Sequence, residues 1–348
     1  MSYDDASSSM TIKTDDVGPW SYLNHDVLLL VMMKLGVVDF VAFSGVCKLW
    51  RPVALGNWKR FMVSKPPMLM NISDSINKDW QCCLEDHERR KFKTTLTHSA
   101  GMCYLGLSCG YLVLIREETK DFWLVNLITR HELHFPPAPW VCSSEPVGSF
   151  ILVFSPSISK LVFVMLVKKQ IWFSIADEGT WNRVSTFDLK FYKDLHAFNG
   201  KIYTLHSHNN HLCELTLNPE PKVTLLKTKH FVLDKVLFFP QLGLGNCGEN
   251  LYMMDCSIYD DVINVYKLDF GEMEWVPFQD TGEEHGFFVG YVFDHVAAVK
   301  PELWADPWSH YPRYDVGNGG GNGRYFPYSG GWYFPHECLN ANLLDESS

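Results

Sequence analysis

The sequence has no long apolar segment. Its longest apolar runs, Val27–Met33 and Leu161–Val167, are far shorter than the about 20 residues of a membrane-spanning helix. The N-terminal residues also lack the basic start and apolar stretch of a secretory signal. We therefore expect a soluble chain in the cytoplasm, the nucleus or both, with no membrane partner.

Charge and cysteine spacing argue against a nucleic-acid-binding protein and against a disulfide-bonded protein. The net charge is −10, and no dense stripe of Lys and Arg is present to neutralise phosphates. Nucleic acid is therefore not an expected partner. The ten cysteines lack a disulfide framework spacing, so we interpret them as reduced packing residues. They are Cys47, Cys82, Cys83, Cys103, Cys109, Cys142, Cys213, Cys247, Cys256 and Cys338.

Catalytic and metal-binding motifs are also missing. The sequence contains no Gly-x-Ser-x-Gly elbow, no phosphate-cradling loop and no dinucleotide fingerprint. Two histidine groups lack companion ligands at metal-site spacing, and an acidic run lacks the glycine and final glutamate of a calcium loop. The first histidine group is His206 with His208 and His211, and the second is His131 with His134. The acidic run is Asp255–Asp261. We predict no catalytic residue, no cofactor and no metal.

Residues 19–62 have helical periodicity, after a flexible Ser- and Asp-rich tail predicted for residues 1–18. Gly36 is placed to end a first helix, Asp39 to cap a second, and Pro52 to begin a third that carries Trp58 and Phe61. The first helix has apolar residues at three- and four-residue steps: Leu23, Val27, Leu28, Val31 and Leu35.

Residues 63–340 are predicted to be almost entirely β, with a second short tail at 341–348. Short runs rich in Val, Ile, Phe, Tyr and Trp alternate with turn residues, and a unit of about three strands recurs every ~40 to 50 residues. The spacing is typical of propeller blades, with a fourth strand too irregular to recognise. About five blades fit, and a β-sandwich remains the alternative. The copies cover 110–136, 160–184, 200–226 and 250–278.

The C-terminal part contains a glycine-rich loop, Gly317–Gly323, followed by two aromatic segments. We expect these segments, Tyr325–Pro327 and Trp332–Pro335, to close the final blade.

The helical part resembles an F-box. That family has a Leu-Pro pair before an acidic residue and paired leucines, and a Val-Cys-x-x-Trp-Arg signature at its end. Here Leu23 is followed by Asn24 instead of proline, and the signature is Val46–Arg51. The resemblance implies binding to the Skp-type adaptor of SCF ubiquitin ligases. The alternative is that about half of the matching positions serve only the helical core. The implied contacts are Leu23, Asn24, Leu28, Val31, Leu35, Val46, Cys47 and Trp50.

The remainder resembles the kelch-like propeller found beside F-boxes in many plant proteins. The residues that carry this resemblance are Pro66–Leu69, Leu107–Leu114, Asn126–Thr129, Phe135–Pro137 and Trp332–Pro335. The two resemblances together imply a non-catalytic substrate receptor, which binds the adaptor and through it a cullin ligase, and which captures an unidentified protein substrate.

The substrate-binding residues are expected in loops, because strand spacing assigns most aromatics to blade cores. Trp140 is one candidate, and the main candidates are Trp304, Trp308, Tyr311 and Arg313. The alternative for these four residues is that they form a lid over the last blade. Two other functions remain open: a propeller scaffold without ligase function, and a propeller glycosidase with acids drawn from Asp194, Asp234 and Asp255.

Overall fold

The protein is described by a computed structural model that covers most of the chain. The described residues are 20, 23–75, 78–138, 148–167, 170–186, 192–206, 210–229, 241–256, 263–279, 286–290, 295–299, 314–315, 324–328 and 331–340. The chain divides into two compact units, Met1–Trp58 and Lys59–Ser348. The predicted tails, 1–18 and 341–348, lie outside the described residues.

Three helices open the chain, as predicted: α1 (His25–Lys34), α2 (Val37–Gly45) and α3 (Arg51–Val63). At the start of α1, Oδ1 of Asn24 accepts a hydrogen bond from the backbone N–H of Asp26 at 3.0 Å. This bond satisfies one of the donors that a helix leaves open in its first turn.

Two of the three residues predicted to mark a helix boundary have a different position in the structure. Helix α1 ends at Lys34, and Gly36 is instead the N-cap of α2, with φ −74° and ψ 167°. Its backbone is extended, so no left-handed glycine terminates α1. Asp39 lies inside the first turn of α2, where its charge still suits the helix dipole. Pro52 is in the first turn of α3, as predicted.

The helices bury large apolar side chains. The ring of Phe43 also packs on Trp50, with centroids 4.8 Å apart. Each such side chain contributes about 1.5 to 3 kcal/mol by leaving water. In the first compact unit the buried apolar residues are Leu28, Met32, Val37, Phe40, Phe43, Val53 and Ala54.

The rest of the described chain is β-structure apart from a short 3-10 helix, Pro335–Asn340. The strands are β1 (Met68–Ser75), β2 (Lys78–Glu85), β3 (Lys91–Thr95), β4 (Met102–Ser108), β5 (Tyr111–Arg116), β6 (Phe122–Asn126), β7 (Glu132–Phe135), β8 (Phe150–Ser155), β9 (Lys160–Val167), β10 (Gln170–Ile175), β11 (Trp181–Arg183), β12 (Tyr192–Phe198), β13 (Lys201–His206), β14 (Leu212–Thr216), β15 (Lys222–Leu225), β16 (Gln241–Cys247), β17 (Asn250–Cys256), β18 (Ile263–Asp269), β19 (Glu274–Pro277), β20 (Gly286–Gly290), β21 (His295–Val299), β22 (Tyr314–Asp315), β23 (Arg324–Tyr328) and β24 (Gly331–Tyr333).

In the described part of the chain these strands form six four-stranded sheets, here called blades 1 to 6. Blade 1 has the order β24-β1-β2-β3, blades 2 to 5 follow as β4 to β7, β8 to β11, β12 to β15 and β16 to β19, and blade 6 is β21-β20-β23-β22. The inner strands β4, β8, β12, β16 and β21 contact one another in succession. The predicted fold class, three helices followed by an all-β propeller, is therefore confirmed.

The blades outnumber the predicted repeats slightly. The four copies recognised in the sequence correspond to the three outer strands of blades 2 to 5. The fourth, irregular strand of each is the inner one. The described residues form six blades, whereas about five were expected. Blades 1 and 6 were not recognised as repeats because they combine strands that are distant in sequence or irregular in order.

Apolar layers between neighbouring blades, here called seams, hold the propeller together. Strand β9 illustrates how they form, because its successive side chains point to opposite faces. Leu161, Phe163 and Met165 pack in the seam with blade 2, whereas Val162 and Val164 pack in the seam with blade 4. A strand covered on both faces has to be almost continuously apolar, which explains its sequence.

The C-terminal strand closes the ring in a way that corrects the sequence expectation. Tyr325–Pro327 does lie in blade 6, within β23. Trp332 and Tyr333, however, belong to β24, which pairs with β1 so that Trp332 faces Leu69 and Tyr333 faces Met68. They complete the first blade, so that the two ends of the propeller are joined by backbone hydrogen bonds.

Candidate functional sites

The helical unit leaves several large apolar side chains in water. Trp20 is 71% exposed and Leu30 is 68% exposed, while Leu28 on the same helix is only 3% exposed. Several large apolar side chains exposed on so small a module favour binding to a protein partner. The exposed large apolar residues of this unit, called the apolar helical surface below, are Trp20, Val27, Leu30, Val31, Val46, Leu49 and Leu55.

The eight predicted adaptor contacts divide into three groups. Asn24, Val31 and Val46 are exposed, and Leu28 is buried in the helical core. The others are half-buried, and these are Leu23, Leu35, Cys47 and Trp50. The structure therefore makes Leu28 a packing residue and leaves Val31 and Val46 available to a partner.

Two of the half-buried residues organise the turn before α3. Nε1 of Trp50 donates a hydrogen bond to the carbonyl oxygen of Trp20 at 3.2 Å. The carbonyl oxygen of Cys47 accepts from the backbone N–H groups of Trp50 and Arg51, both at 3.2 Å. The Cys-x-x-Trp-Arg signature thus fixes how this turn enters α3, in addition to any contact with a partner.

Five exposed apolar residues of this surface were not among the predicted contacts: Trp20, Val27, Leu30, Leu49 and Leu55. Helix α1 is apolar around most of its circumference, so one apolar stripe can face the core and another can face water. The missed signal was the surplus of apolar residues outside the stripe of Leu28 and Met32.

The predicted substrate-binding residues cannot be placed in the fold. Trp304, Trp308, Tyr311 and Arg313 lie outside the described residues, and so does Trp140. Their assignment stays a prediction.

The acids considered for a glycosidase differ in their surroundings. Asp194 in β12 accepts hydrogen bonds from Ser149 Oγ at 2.8 Å and from the backbone N–H of Leu195 at 2.8 Å. Its other oxygen accepts from the backbone N–H of Leu244 at 2.6 Å. These three donors come from blades 4 and 5 and from the segment leading into blade 3, so the carboxylate joins blades. Asp234 lies outside the described residues.

The carboxyl group of Asp194 has an altered pKa. Burial raises it above its ordinary value, and the hydrogen bond from Leu244, the nearby His196 and the bonds from Ser149 and Leu195 act in the opposite direction. Both oxygens are occupied by protein donors, so this acid has a structural role.

Asp255 in β17 is a second buried acid, 3% exposed. Burial raises the pKa of this carboxyl, while a hydrogen bond from Asn264 and the charge of Lys193 lower it. Its Oδ1 has no hydrogen-bond partner among the described residues. Asp255 therefore differs from Asp194, because one of its oxygens is buried without a hydrogen-bond partner among the described residues.

The histidines of the two sequence groups have separate surroundings. His131 Nδ1 lies 2.9 Å from the hydroxyl of Tyr111, and His211 Nδ1 lies 3.0 Å from Thr228 Oγ1. The His134 ring stacks on Trp123. His208 lies outside the described residues, and within them no group of three His, Cys, Asp or Glu residues is arranged to hold a metal ion.

No helix in the described ranges is both long enough and apolar enough to cross a membrane.

A small three-helix module in front of a ring of four-stranded blades defines the class: an F-box protein with a C-terminal propeller. The F-box domain model matches residues 20–59, and the KIB1-4 beta-propeller model matches residues 82–302. The second match covers more than half of the chain, so the chain belongs to the KIB1-4 β-propeller family.

Two curated relatives come from Arabidopsis thaliana. An F-box protein is 29% identical over 126 residues, which is 36% of this chain and 30% of the relative. F-box only protein 7 is 27% identical over 139 residues, 39% of this chain and 34% of the relative. The matched part thus spans about a third of the length of each relative.

Solved structures with similar architecture are distant. Virginiamycin B lyase from Staphylococcus aureus has 10% identity and a TM-score of 0.34, over 63% of this chain and 87% of that chain. Oligogalacturonate lyase has 12% identity and a TM-score of 0.37, over 57% of this chain and 59% of that chain. Likenesses at this level carry no argument about function.

Proposed function

We propose that this protein is a substrate receptor of an SCF-type ubiquitin ligase. The F-box binds a Skp-type adaptor, through it a cullin ligase, and the propeller binds a protein substrate. The observation that carries the proposal is the apolar helical surface of an F-box joined in one chain to a propeller of the KIB1-4 family. F-box and propeller domains are typical of non-catalytic receptors, so the role needs no active site in this chain.

Adaptor binding is attributed to the exposed part of the F-box. The exposed side chains of Leu30, Val31 and Val46 keep apolar area in water that a partner would cover. Burial of one leucine on binding is worth about 1.5 to 3 kcal/mol. The buried Leu28 contributes by holding α1 in place.

A binding experiment with one charge substitution tests this assignment. The full chain, wild type or Leu30→Asp, is co-expressed with a Skp-type adaptor, and the affinity is measured on the purified proteins. We expect Leu30→Asp to weaken binding by at least about 1.5 to 3 kcal/mol, because the variant loses the apolar contact and must desolvate a charge.

A matched control is Leu225→Asp, at an exposed leucine of the propeller strand β15. It introduces the same charge outside the F-box and should leave adaptor binding unchanged. Equal affinities of Leu30→Asp and wild type, with α1 intact by circular dichroism, would remove the proposed docking surface.

A further inference from the structure

A cavity opens to solvent on blade 5, at the end of the blade where the turn between β18 and β19 lies. It is here called the blade 5 cavity, and its volume is about 370 Å³. Binding sites for small ligands have volumes of ~300 to ~1,000 Å³, so this cavity suits one large side chain of a partner protein. Its lining residues are Asn250, Lys267, Leu268, Asp269, Phe270 and Val276.

Val276 and Lys267 form part of the cavity wall on one face of the blade. They are cross-strand partners in β19 and β18, so their side chains lie side by side. Their sequence neighbours Trp275 and Tyr266 pack in the seam with blade 4, so Val276 and Lys267 point away from that seam. Val276 is 37% exposed. A side chain of another protein can therefore reach this wall from the solvent.

Phe270 adds a second exposed apolar residue to the cavity. It lies in the turn after β18 and is 43% exposed. Its ring stacks on Phe198 of blade 4, with the ring centroids 5.9 Å apart. The ring is therefore already held in place, and binding a partner does not have to pay for ordering it.

The charge of Lys267 is available to a ligand. The side chain is half-buried, and its ammonium group forms no ion pair or hydrogen bond among the described residues. The carboxylates of Glu272 and Glu274 nearby are instead paired with Lys229 Nζ, at 3.2 and 2.9 Å. The ammonium of Lys267 is thus a donor without a fixed acceptor.

Asp269 places an acceptor in the same cavity. Its Oδ1 accepts hydrogen bonds from the backbone N–H groups of Gly271 at 2.8 Å and Glu272 at 3.1 Å. The bonds from Glu272 and Gly271 lower the pKa of this carboxyl below its ordinary value, so it is ionised at neutral pH. Within the part of the chain that the structure describes, Oδ2 has no partner. The cavity therefore presents one cation and one anion from alternate residues of β18.

A ligand for this cavity has to suit both charges and the apolar wall. A basic side chain would be repelled by Lys267, and an acidic one by Asp269. A tyrosine is neutral and combines an apolar ring with a hydroxyl group that both donates and accepts. The ring can pack on Val276, while the hydroxyl accepts from the ammonium of Lys267 and donates to Oδ2 of Asp269.

We propose that the blade 5 cavity binds a tyrosine side chain of the protein that the propeller recognises. This inference rests on the proposed function and assigns one contact of its substrate. The tyrosine anchors the substrate, as buried aromatic side chains do at many protein interfaces. Other contacts on the propeller supply the rest of the affinity.

The experiment starts from a peptide library in which each position is fixed in turn to each amino acid, bound to the purified full chain. We expect selection of tyrosine at one position. The selected peptide, and its copy with phenylalanine at that position, are then titrated against wild type, Lys267→Met and Lys222→Met. Lys222→Met is the matched control, because Lys222 is an exposed lysine of the outer strand β15 in blade 4.

The affinity ratio of the two peptides measures the contact of the hydroxyl group. In wild type and Lys222→Met the phenylalanine copy should bind roughly tenfold more weakly, because it lacks hydrogen bonds to charged groups. In Lys267→Met the ratio should fall to roughly threefold or less, since one of the two charged partners is lost. No selection in the library, selection of another residue type, or the same ratio in Lys267→Met as in wild type would overturn the proposal.

A second variant tests the apolar wall. Val276→Asp should weaken binding of both peptides to a similar extent, because the charge opposes burial of either ring. Val276 is exposed, so the variant should fold, and thermal unfolding checks this. Unchanged affinity of folded Val276→Asp for the tyrosine peptide would also overturn the proposal.

Adaptor binding is measured on the same preparations. Tyrosine selection without adaptor binding would contradict only the ligase function. Adaptor binding without tyrosine selection would contradict only this inference.

Discussion

Oδ1 of Asn24 accepts a hydrogen bond from the backbone N–H of Asp26, and this bond caps α1 at the position where the F-box family has proline. The backbone of Asn24 has φ −58° and ψ 142°, which a proline can adopt. The residue therefore keeps the family's backbone geometry while it adds a side-chain cap.

This cap leads to a prediction for Asn24→Pro. A proline with compatible geometry gains about 0.4 to 1 kcal/mol, whereas loss of an N-cap costs about 0.5 to 2 kcal/mol. We therefore expect adaptor affinity to stay unchanged or to fall slightly, and not the gain that the family pattern alone suggests. Titration of the adaptor against wild type, Asn24→Pro and Asn24→Ala measures this. A several-fold gain in Asn24→Pro would show that the cap contributes nothing.

A second prediction separates packing from docking on α1. Leu28→Ala should destabilise the helical unit by about 2 to 5 kcal/mol, because it leaves a cavity in the core. Leu30→Ala should change stability by no more than about 0.5 kcal/mol, since its side chain is mostly in water. Hydrogen exchange of the α1 amides measures both. Similar protection factors in the two variants would contradict the assignment of Leu28 to the core.

The blades were recognised in the sequence from their outer strands. Their inner strands were missed because they lack a regular pattern. Strand β9 of blade 3 is apolar on both faces, so it was recognised without a structure. Strand β12 instead carries Lys193, Asp194 and His196, with a register shift between Lys193 and His196. Polar residues and a bulge remove the two-residue periodicity on which recognition of a strand depends.

Ring closure and the apolar helical surface were harder to predict for a different reason. The pairing of Trp332 with Leu69 joins residues from opposite ends of the propeller, and local sequence patterns carry no information about such partners. Likewise, Leu28 and Leu30 are chemically identical in the sequence. Only the packing of α1 against its neighbours decides which leucine is buried.

A third prediction concerns Gly110, which has φ +81° in the turn between β4 and β5. A Cβ at this position would lie 2.6 Å from Cys338 Sγ and 3.0 Å from the Tyr333 hydroxyl. Gly110→Ala should therefore lower the free energy of unfolding by about 2 to 4 kcal/mol, from backbone strain together with overpacking.

The control for this variant is Gly101→Ala, at φ +76° with open space around the added Cβ. It should show only the backbone strain, about 1 to 2 kcal/mol. Urea unfolding of both variants isolates the packing part of the effect. Equal losses would mean that the C-terminal segment does not press against this turn.

The last prediction concerns the carboxylate of Asp194, which joins neighbouring blades through Ser149, Leu195 and Leu244. In Asp194→Asn one oxygen becomes an NH₂ group, so a donor faces either the Leu244 N–H or the Leu195 N–H. We expect a loss of about 1 to 3 kcal/mol, the usual cost of a buried donor without an acceptor.

The pH dependence of stability should change in the same variant. Burial holds the pKa of Asp194 above its ordinary value in the folded chain, so the folded state binds this proton more tightly than the unfolded state does. The contribution of Asp194 to the free energy of unfolding therefore falls as the pH rises from the unfolded pKa of about 3.9 through the raised folded pKa. Denaturant unfolding across this range, for wild type and Asp194→Asn, gives the difference directly. The stability advantage of the wild type should shrink with rising pH, and an advantage that grows would mean that the hydrogen bonds to the carboxylate outweigh its burial.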